Sequence, residues 1–258
     1  RYDAPKTVKP WHEPARRGTR LPEHGVHSHE IEFWGGDLAS MRDRLDHVQG
    51  LGIDVLYLNP IHDAWTNHKY DALDWTTVSP EYGTRDDVAA LADDLHTRGM
   101  RLMLDGVFNH MGRRAPIFLE AIADTASPYR DWFYIDKDAY ERGYRAWFGA
   151  ANLPEVRLEH PDVQALVWRG PDSVVRRALR DGVDGWRLDV AYDYGLVLLG
   201  DITAAAHAEK PDAWVVGEVW NYPQEWVTGE RPALDGVMNM YARRLIMEFL
   251  DAKITGGR

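Results

Sequence analysis

Three short stretches of the chain hold residue types that could do chemistry. The first places Arg187 two residues before Asp189, in the run DGWRLDV (184–190). In a strand, residues i and i+2 face the same side, which sets the guanidinium beside the carboxylate. Such a neighbour keeps an Asp ionised and oriented, the state in which it serves as a nucleophile. The same spacing also suits a buried ion pair that does no more than satisfy itself. The second stretch carries Glu218, between Gly217 and the apolar Val219 and Trp220. A carboxyl group against an indole loses water, so its pKa rises and it becomes a proton donor. One ionised and one protonated carboxyl group on neighbouring strands form the pair that glycoside cleavage needs. The third stretch, DGVFNH (105–110), sets Asp105, Asn109 and His110 together. These could bind a metal, hold sugar hydroxyls or brace a site; Asn and Asp oxygens suit Ca²⁺. A capped turn ending a strand has the same composition.

The elements that must position these residues alternate along the chain. Asp37 is a candidate N-cap for a helix whose Leu38, Met41, Leu45 and Val48 keep helical spacing up to Gly50. IDVLYLNPI (53–61) reads as a buried strand, followed by a long loop to Gly83. Helix 84–98, with Val88, Leu91 and Leu95 on one face, leads to a strand at 100–108. Helix 161–180 leads to strand 184–190, helix 194–209 to strand 213–219, and a strand at 236–240 to helix 241–252. Residues 1–30 read as an extended loop, and 111–160, aromatic and charged with little period, as a small inserted subdomain. The alternation implies a parallel sheet covered by helices. The candidate residues fall at the C-terminal ends of its strands, where a (β/α)₈ barrel or a doubly wound sheet keeps its site. No glycine-rich phosphate loop follows any strand, which argues against a dinucleotide site.

Composition narrows the function. The 258 residues are 45% hydrophobic and 28% charged, with a net charge of −11 and no cysteine. That excludes a disulfide scaffold, thiol catalysis and Cys-ligated zinc. The chain has no stretch near the roughly 18 apolar residues of a membrane helix. An acidic chain without a basic block is a poor partner for nucleic acid. The 11 Trp and 12 Tyr against 6 Phe favour flat amphipathic rings, which suit the C–H face of a sugar as well as a packed core.

These motifs, in this order, resemble the α-amylase family of glycoside hydrolases (family 13). DGVFNH (105–110), GWRLDVAYD (185–193) and GEVW (217–220) are similar to its first three conserved regions. NHKYDALDW (67–75) and AWFGAANLPEVR (146–157) resemble segments of its cyclomaltodextrinase, neopullulanase and maltogenic amylase group. The resemblance implies an α/β fold, a (β/α)₈ TIM barrel with a small subdomain inserted after its third strand. It implies a retaining hydrolase of α-1,4-linked glucans, with Asp189 as nucleophile and Glu218 as general acid/base. Arg187 would orient Asp189, His110 and Tyr70 would hold the sugar at the cleavage point, and Asp105 would brace the site. Asp71, from the same NHKYD segment, joins the expected substrate contacts, and Trp220 and Trp147 are candidate sugar platforms. Asn109 is a calcium ligand in many members, although the cyclomaltodextrinase group often lacks that ion; no other cofactor is implied. An α-1,6-glucosidase, a transglycosylase or an inert glucan-binding fragment would carry the same residues.

One feature of the family has no counterpart. Its third catalytic carboxylate lies in a His-Asp pair after the seventh strand, and no His-Asp pair follows the later strands here. Asp251 resembles it only superficially, since it falls in the last predicted helix. About five strands are found, matching the second to sixth of a barrel. The chain is therefore expected to be an incomplete barrel, with 1–110 its first part, 111–160 the insertion and 161–258 its continuation, the tail TGGR giving no domain ending. Open sheet edges would make it adhesive, and a homodimer is one outcome. A cytoplasmic bacterial setting is expected, with secretion still open.

Overall fold

Five strands lie side by side in one parallel sheet: β1 (Val55–Tyr57), β2 (Arg101–Gly106), β3 (Gly185–Leu188), β4 (Trp214–Val219) and β5 (Gly236–Asn239). Their spatial order is their chain order. The computed structural model describes residues 8–10, 12–14, 17–230 and 232–255. The readings placed on residues 1–7 and on the tail 256–258 fall outside the described residues.

The inner strands are apolar runs because both faces are covered; every residue of β3 is buried. Leu102, Leu104, Trp186, Leu188 and Val215 join one core with Leu91, Leu95, Leu199 and Ile202 from the covering helices. Helix Arg85–His96 starts where Thr84 accepts a hydrogen bond from the Asp87 amide, a capping box, and buries Val88, Leu91, Ala92 and Leu95. Helix Gly195–Glu209 links β3 to β4, and helix Met240–Thr255 follows β5.

Side chains pin the register at the strand starts. Asp184 accepts from the Leu102 amide at 2.8 Å, and Asp235 from the Val215 amide at 2.8 Å. The pairing then sets Asp105 opposite Arg187, and Arg187 opposite Val216. Two glycines set the closeness of β3 and its neighbourhood to β4. A Cβ on Gly185 would lie 2.3 Å from the Trp214 carbonyl oxygen, and one on Gly217 2.4 Å from Leu234 and 2.9 Å from Ala191.

Several elements differ from the expectation. Helix 38–50 is two helices, Leu38–Arg42 and Leu45–Gly50, because Arg44 takes φ −111°, ψ 5°. Each half still buries a leucine, so the apolar spacing runs through the break. Strand 53–61 shrinks to β1, an edge strand whose Val55 is 40% exposed; Pro60 has no amide to continue a ladder. The loop to Gly83 contains an antiparallel hairpin, His62–Ala64 with Ala72–Val78. Two register shifts break its alternation, which is why it read as loop. Helix 161–180 is three pieces: Pro161–Gln164, a π turn Ala165–Arg169 and Val174–Arg180. The N-terminal stretch carries short strands at Val8–Lys9, Arg20–Leu21 and Val26–His27.

Segment 111–160 contains helix Pro116–Ala123 and a series of antiparallel bridges, His110 to Glu155, Phe133 to Val156 and Ala146 to Pro154 among them. Phe118 meets Phe133 and Tyr144 edge-on, each at 5.0 Å, and all three belong to the main core.

Candidate active site

Arg187 leaves β3 with its guanidinium among three carboxylates at the C-terminal ends of the strands. Nη1 donates to Asp105 Oδ1 at 2.9 Å and to Asp189 Oδ1 at 2.7 Å. Nη2 donates to Glu218 Oε2 at 2.8 Å, and Nε faces the Met238 sulfur at 3.1 Å. Asp105, Asp189 and Glu218 are all buried. Asp105 also accepts from the Tyr57 and Tyr70 hydroxyls. Glu218 also accepts from the Val190 amide at 3.0 Å and from Trp220 Nε1 at 3.0 Å.

The backbone takes an unusual course to make one of these contacts. Val190, directly after Asp189, has φ +42°, ψ 42°. A β-branched residue in the left-handed region is strained, by about 1–2 kcal/mol. Its amide is the one that reaches Glu218, so the turn that ends β3 ties the two carboxylate-bearing strands together.

The charges are out of balance: three carboxylates face one guanidinium. Burial pushes Asp189 up to about 7 against the pull of Arg187, and the charges on Asp105 and Glu218 add to the rise. Burial also raises Asp105 despite Arg187 and its two phenol donors. The sequence pairs Arg187 with Asp189, but the fold divides the guanidinium among three acids in a site with little water. Trp220 differs too, presenting its N–H to Glu218 rather than an apolar wall.

The remaining expected residues fall at increasing distance. Tyr70 is held by its hydroxyl on Asp105, and its carbonyl meets His110 Nε2 at 3.1 Å. His110 is buried, and burial pulls it down to about 4, so it is neutral at pH 7. Trp147 lies parallel to His110, with centroids 5.4 Å apart, and donates from Nε1 to Asp193 at 2.9 Å. Trp220 stands at the rim, 61% exposed. Asp71 is not brought to the site. Its carboxylate is buried and accepts from the Thr66 amide and hydroxyl, holding the turn that carries Tyr70. Asn109 faces His110 at 3.5 Å, and its carbonyl accepts from Val156. A calcium ion takes six to eight oxygens, yet among the described residues no group of three or more His, Cys, Asp or Glu side chains could hold a metal. Asn109 thus has no such cluster beside it among the described residues. Asp251 lies exposed on helix Met240–Thr255, which follows β5.

Three contributors carry little signal in the sequence. Tyr57 sits in an apolar run and reads as packing. Lys69 is buried, paired with Glu81 and set over the Phe33 and Tyr82 rings at 4.8 and 5.1 Å. Its φ of +66° turns the chain so that Tyr70 faces Asp105. Val190 shows its role only through its dihedrals. A cavity of about 600 Å³, lined by Arg101, Asp184, His207, Trp214 and Asp235, lies at the opposite, N-terminal end of the strands.

A parallel sheet with acids gathered at its C-terminal strand ends defines an architectural class, that of barrel-type α/β domains. The chain belongs to the α-amylase family: the family described as alpha amylase, catalytic domain, matches residues 15–245. A cyclomaltodextrinase from Bacillus sp is 35% identical over 223 residues, covering 84% of this chain and 39% of that protein. An intracellular maltogenic amylase from Bacillus subtilis is 34% identical over 258 residues, covering 99% of this chain and 41% of that protein. The chain therefore spans about two fifths of these curated relatives. The cyclic alpha-maltosyl-(1→6)-maltose hydrolase from Arthrobacter globiformis, solved in complex with maltose, superposes with a TM-score of 0.80 at 33% identity. That match covers 95% of this chain and 53% of that one.

Proposed function

We propose that this chain carries the two-carboxylate centre of a retaining α-glucan hydrolase, with Asp189 as nucleophile and Glu218 as acid/base. The observation that supports it is the Arg187 fork, which holds the two carboxylates on its two nitrogens at the ends of adjacent strands. In the first step an Asp189 oxygen bonds to the anomeric carbon while the glycosidic C–O bond breaks, and Glu218 gives its proton to the departing oxygen. In the second, Glu218 takes a proton from water, the water oxygen bonds to the same carbon, and the Asp189 ester is released. The step starts from Asp189 ionised and Glu218 protonated, so one proton must sit on the correct acid of a coupled set. Tyr70 and His110 line the sugar side of Asp105, and neutral His110 can donate to a hydroxyl.

The names of the relatives point to α-1,4-linked maltodextrins and cyclodextrins as substrates. Transfer to a sugar, or cleavage of an α-1,6 link, uses the same covalent intermediate. The five strands are read as the second to sixth of the family barrel, with 1–110, 111–160 and 161–258 as its parts. A cytoplasmic setting is supported by the printed name of the B. subtilis relative; among the described residues no helix is long and apolar enough to cross a membrane.

A second reading, an inert glucan-binding chain, would carry the same residues. Incubating the chain with maltotriose and γ-cyclodextrin, beside Asp189→Asn and Glu218→Gln, separates the two. Sugar release lost in both variants, with the α-anomer as first product by NMR, supports the hydrolase. Binding without release in the unmutated chain supports the second reading.

A further inference from the structure

We propose that Phe148 is the outer ring of a two-ring platform that binds a glucan extending beyond the cleavage point. The inference rests on the α-glucan reading above and adds a residue that decides substrate length. Phe148 is 93% exposed, and its backbone takes φ +49°, ψ 23°. Both features are unfavourable for a phenylalanine in a free chain. An apolar ring gains nothing in water, and the left-handed region suits glycine or asparagine.

The turn around it is well tied, so the exposure is built in. The Gly149 amide donates to the Ala146 carbonyl at 3.1 Å, and the Ala150 amide to the Trp147 carbonyl at 2.8 Å. The Trp147 amide donates to the Leu153 carbonyl at 2.9 Å. The left-handed turn carries the ring out of the core and leaves it beside Trp147, centroids 5.8 Å apart and planes 38° apart.

The result is a ladder of three rings. His110 forms its inner end, Trp147 stacks on His110 at 5.4 Å, and Phe148 follows outward. His110 is joined through the Tyr70 carbonyl to the Tyr70 hydroxyl on Asp105, so the ladder starts at the carboxylate cluster. Asp193, on the loop after Asp189, fixes Trp147 from the other side. A pyranose presents an apolar C–H face that stacks on such rings, and each well-placed ring adds affinity without reading sequence or linkage closely. A disaccharide held at the carboxylates would not reach the last ring, whereas a longer linear or cyclic α-glucan would.

The test is calorimetric titration of the 258-residue chain with maltose and with maltohexaose, using Phe148→Ala and the conservative Phe148→Tyr. The expected result for Phe148→Ala is an affinity for maltohexaose lower by about five-fold, with maltose changed by less than about two-fold. Phe148→Tyr should keep the unmutated preference. An equal loss for both sugars, or no loss for either, overturns the platform. So does a variant that binds both sugars normally yet sediments as a smaller species, which assigns the ring to a protein contact. If the unmutated chain binds neither sugar, the α-glucan reading fails and the platform with it. If it binds both and Phe148→Ala changes nothing, only the platform fails.

Discussion

At the scale of the residue, the centre is governed by one guanidinium serving three acids. Asp189 held near 7 stabilises the fold only while it is protonated. That contribution is complete below the ordinary carboxylate range and is lost as pH rises through 7. Asp189→Asn removes the buried charge but keeps an oxygen for Arg187. It should raise stability at pH 8 by roughly 1–3 kcal/mol in urea melts, with the gain shrinking toward pH 4. A variant that is no more stable at pH 8 would show that Arg187 fully compensates the charge. The partners of Arg187 explain what the sequence conceals here. Spacing makes Asp189 its neighbour, but only strand register brings Asp105 alongside, and only the Val190 turn ties Glu218 back to β3.

At the scale of the element, the short turn from Asn67 to Asp71 does more than its length suggests. Lys69 buries its ammonium against Glu81 and two rings and sends Tyr70 to Asp105. Lys69→Ala leaves the buried Glu81 without that cation, and truncating one partner of such a pair costs roughly 3–5 kcal/mol. The urea midpoint should fall accordingly, and Tyr70 should lose its fixed place; an unchanged midpoint would mean that Ser79, which also bonds Glu81, suffices. Strands β2 to β4 were legible as apolar runs because their inner residues are buried. β1 was overextended because a sheet edge and Pro60 shorten it, and the hairpin was hidden by its bulges. Asp71, expected at the substrate, stands next to Tyr70 in the NHKYD segment. Adjacent residues of a turn face different ways, and Asp71 faces Thr66. The two rings of the platform, Trp147 and Phe148, are neighbours in sequence, and nothing in their spacing predicts that Phe148 points outward.

At the scale of the whole molecule, acid and association are the levers. His62 and His110 are buried, and burial pulls each down to about 4 from 6.5. A His depressed in the fold contributes stability that is full above 6.5 and is lost as pH falls toward 4, roughly 3 kcal/mol for each. Asp189 acts in the opposite sense, so the comparison is best made in the Asp189→Asn background. There, the urea midpoint should fall between pH 6.5 and 4.5, and less steeply in His62→Phe, whose ring can still stack on Trp186. Equal slopes would show that His62 does not drive the loss. Helix Met240–Thr255 exposes Leu245, Ile246, Met247 and Leu250, and β1 and β5 form the two edges of the sheet. Sedimentation should show concentration-dependent self-association, weakened by Ile246→Lys and Leu250→Lys; a monomer at all concentrations would contradict this. Gly185 and Gly217 bear on the molecule in another way. A side chain on Gly185 would strike the Trp214 carbonyl of β4, and one on Gly217 would strike Leu234 and Ala191, and Asp189 and Glu218 stand at the C-terminal ends of those strands. Reactive geometry tolerates an error of about 0.5 Å, less than the displacement one methyl group would force. The spacing of the two acids is thus gauged by missing atoms, and a chain could keep every charged group yet fall silent through one added carbon.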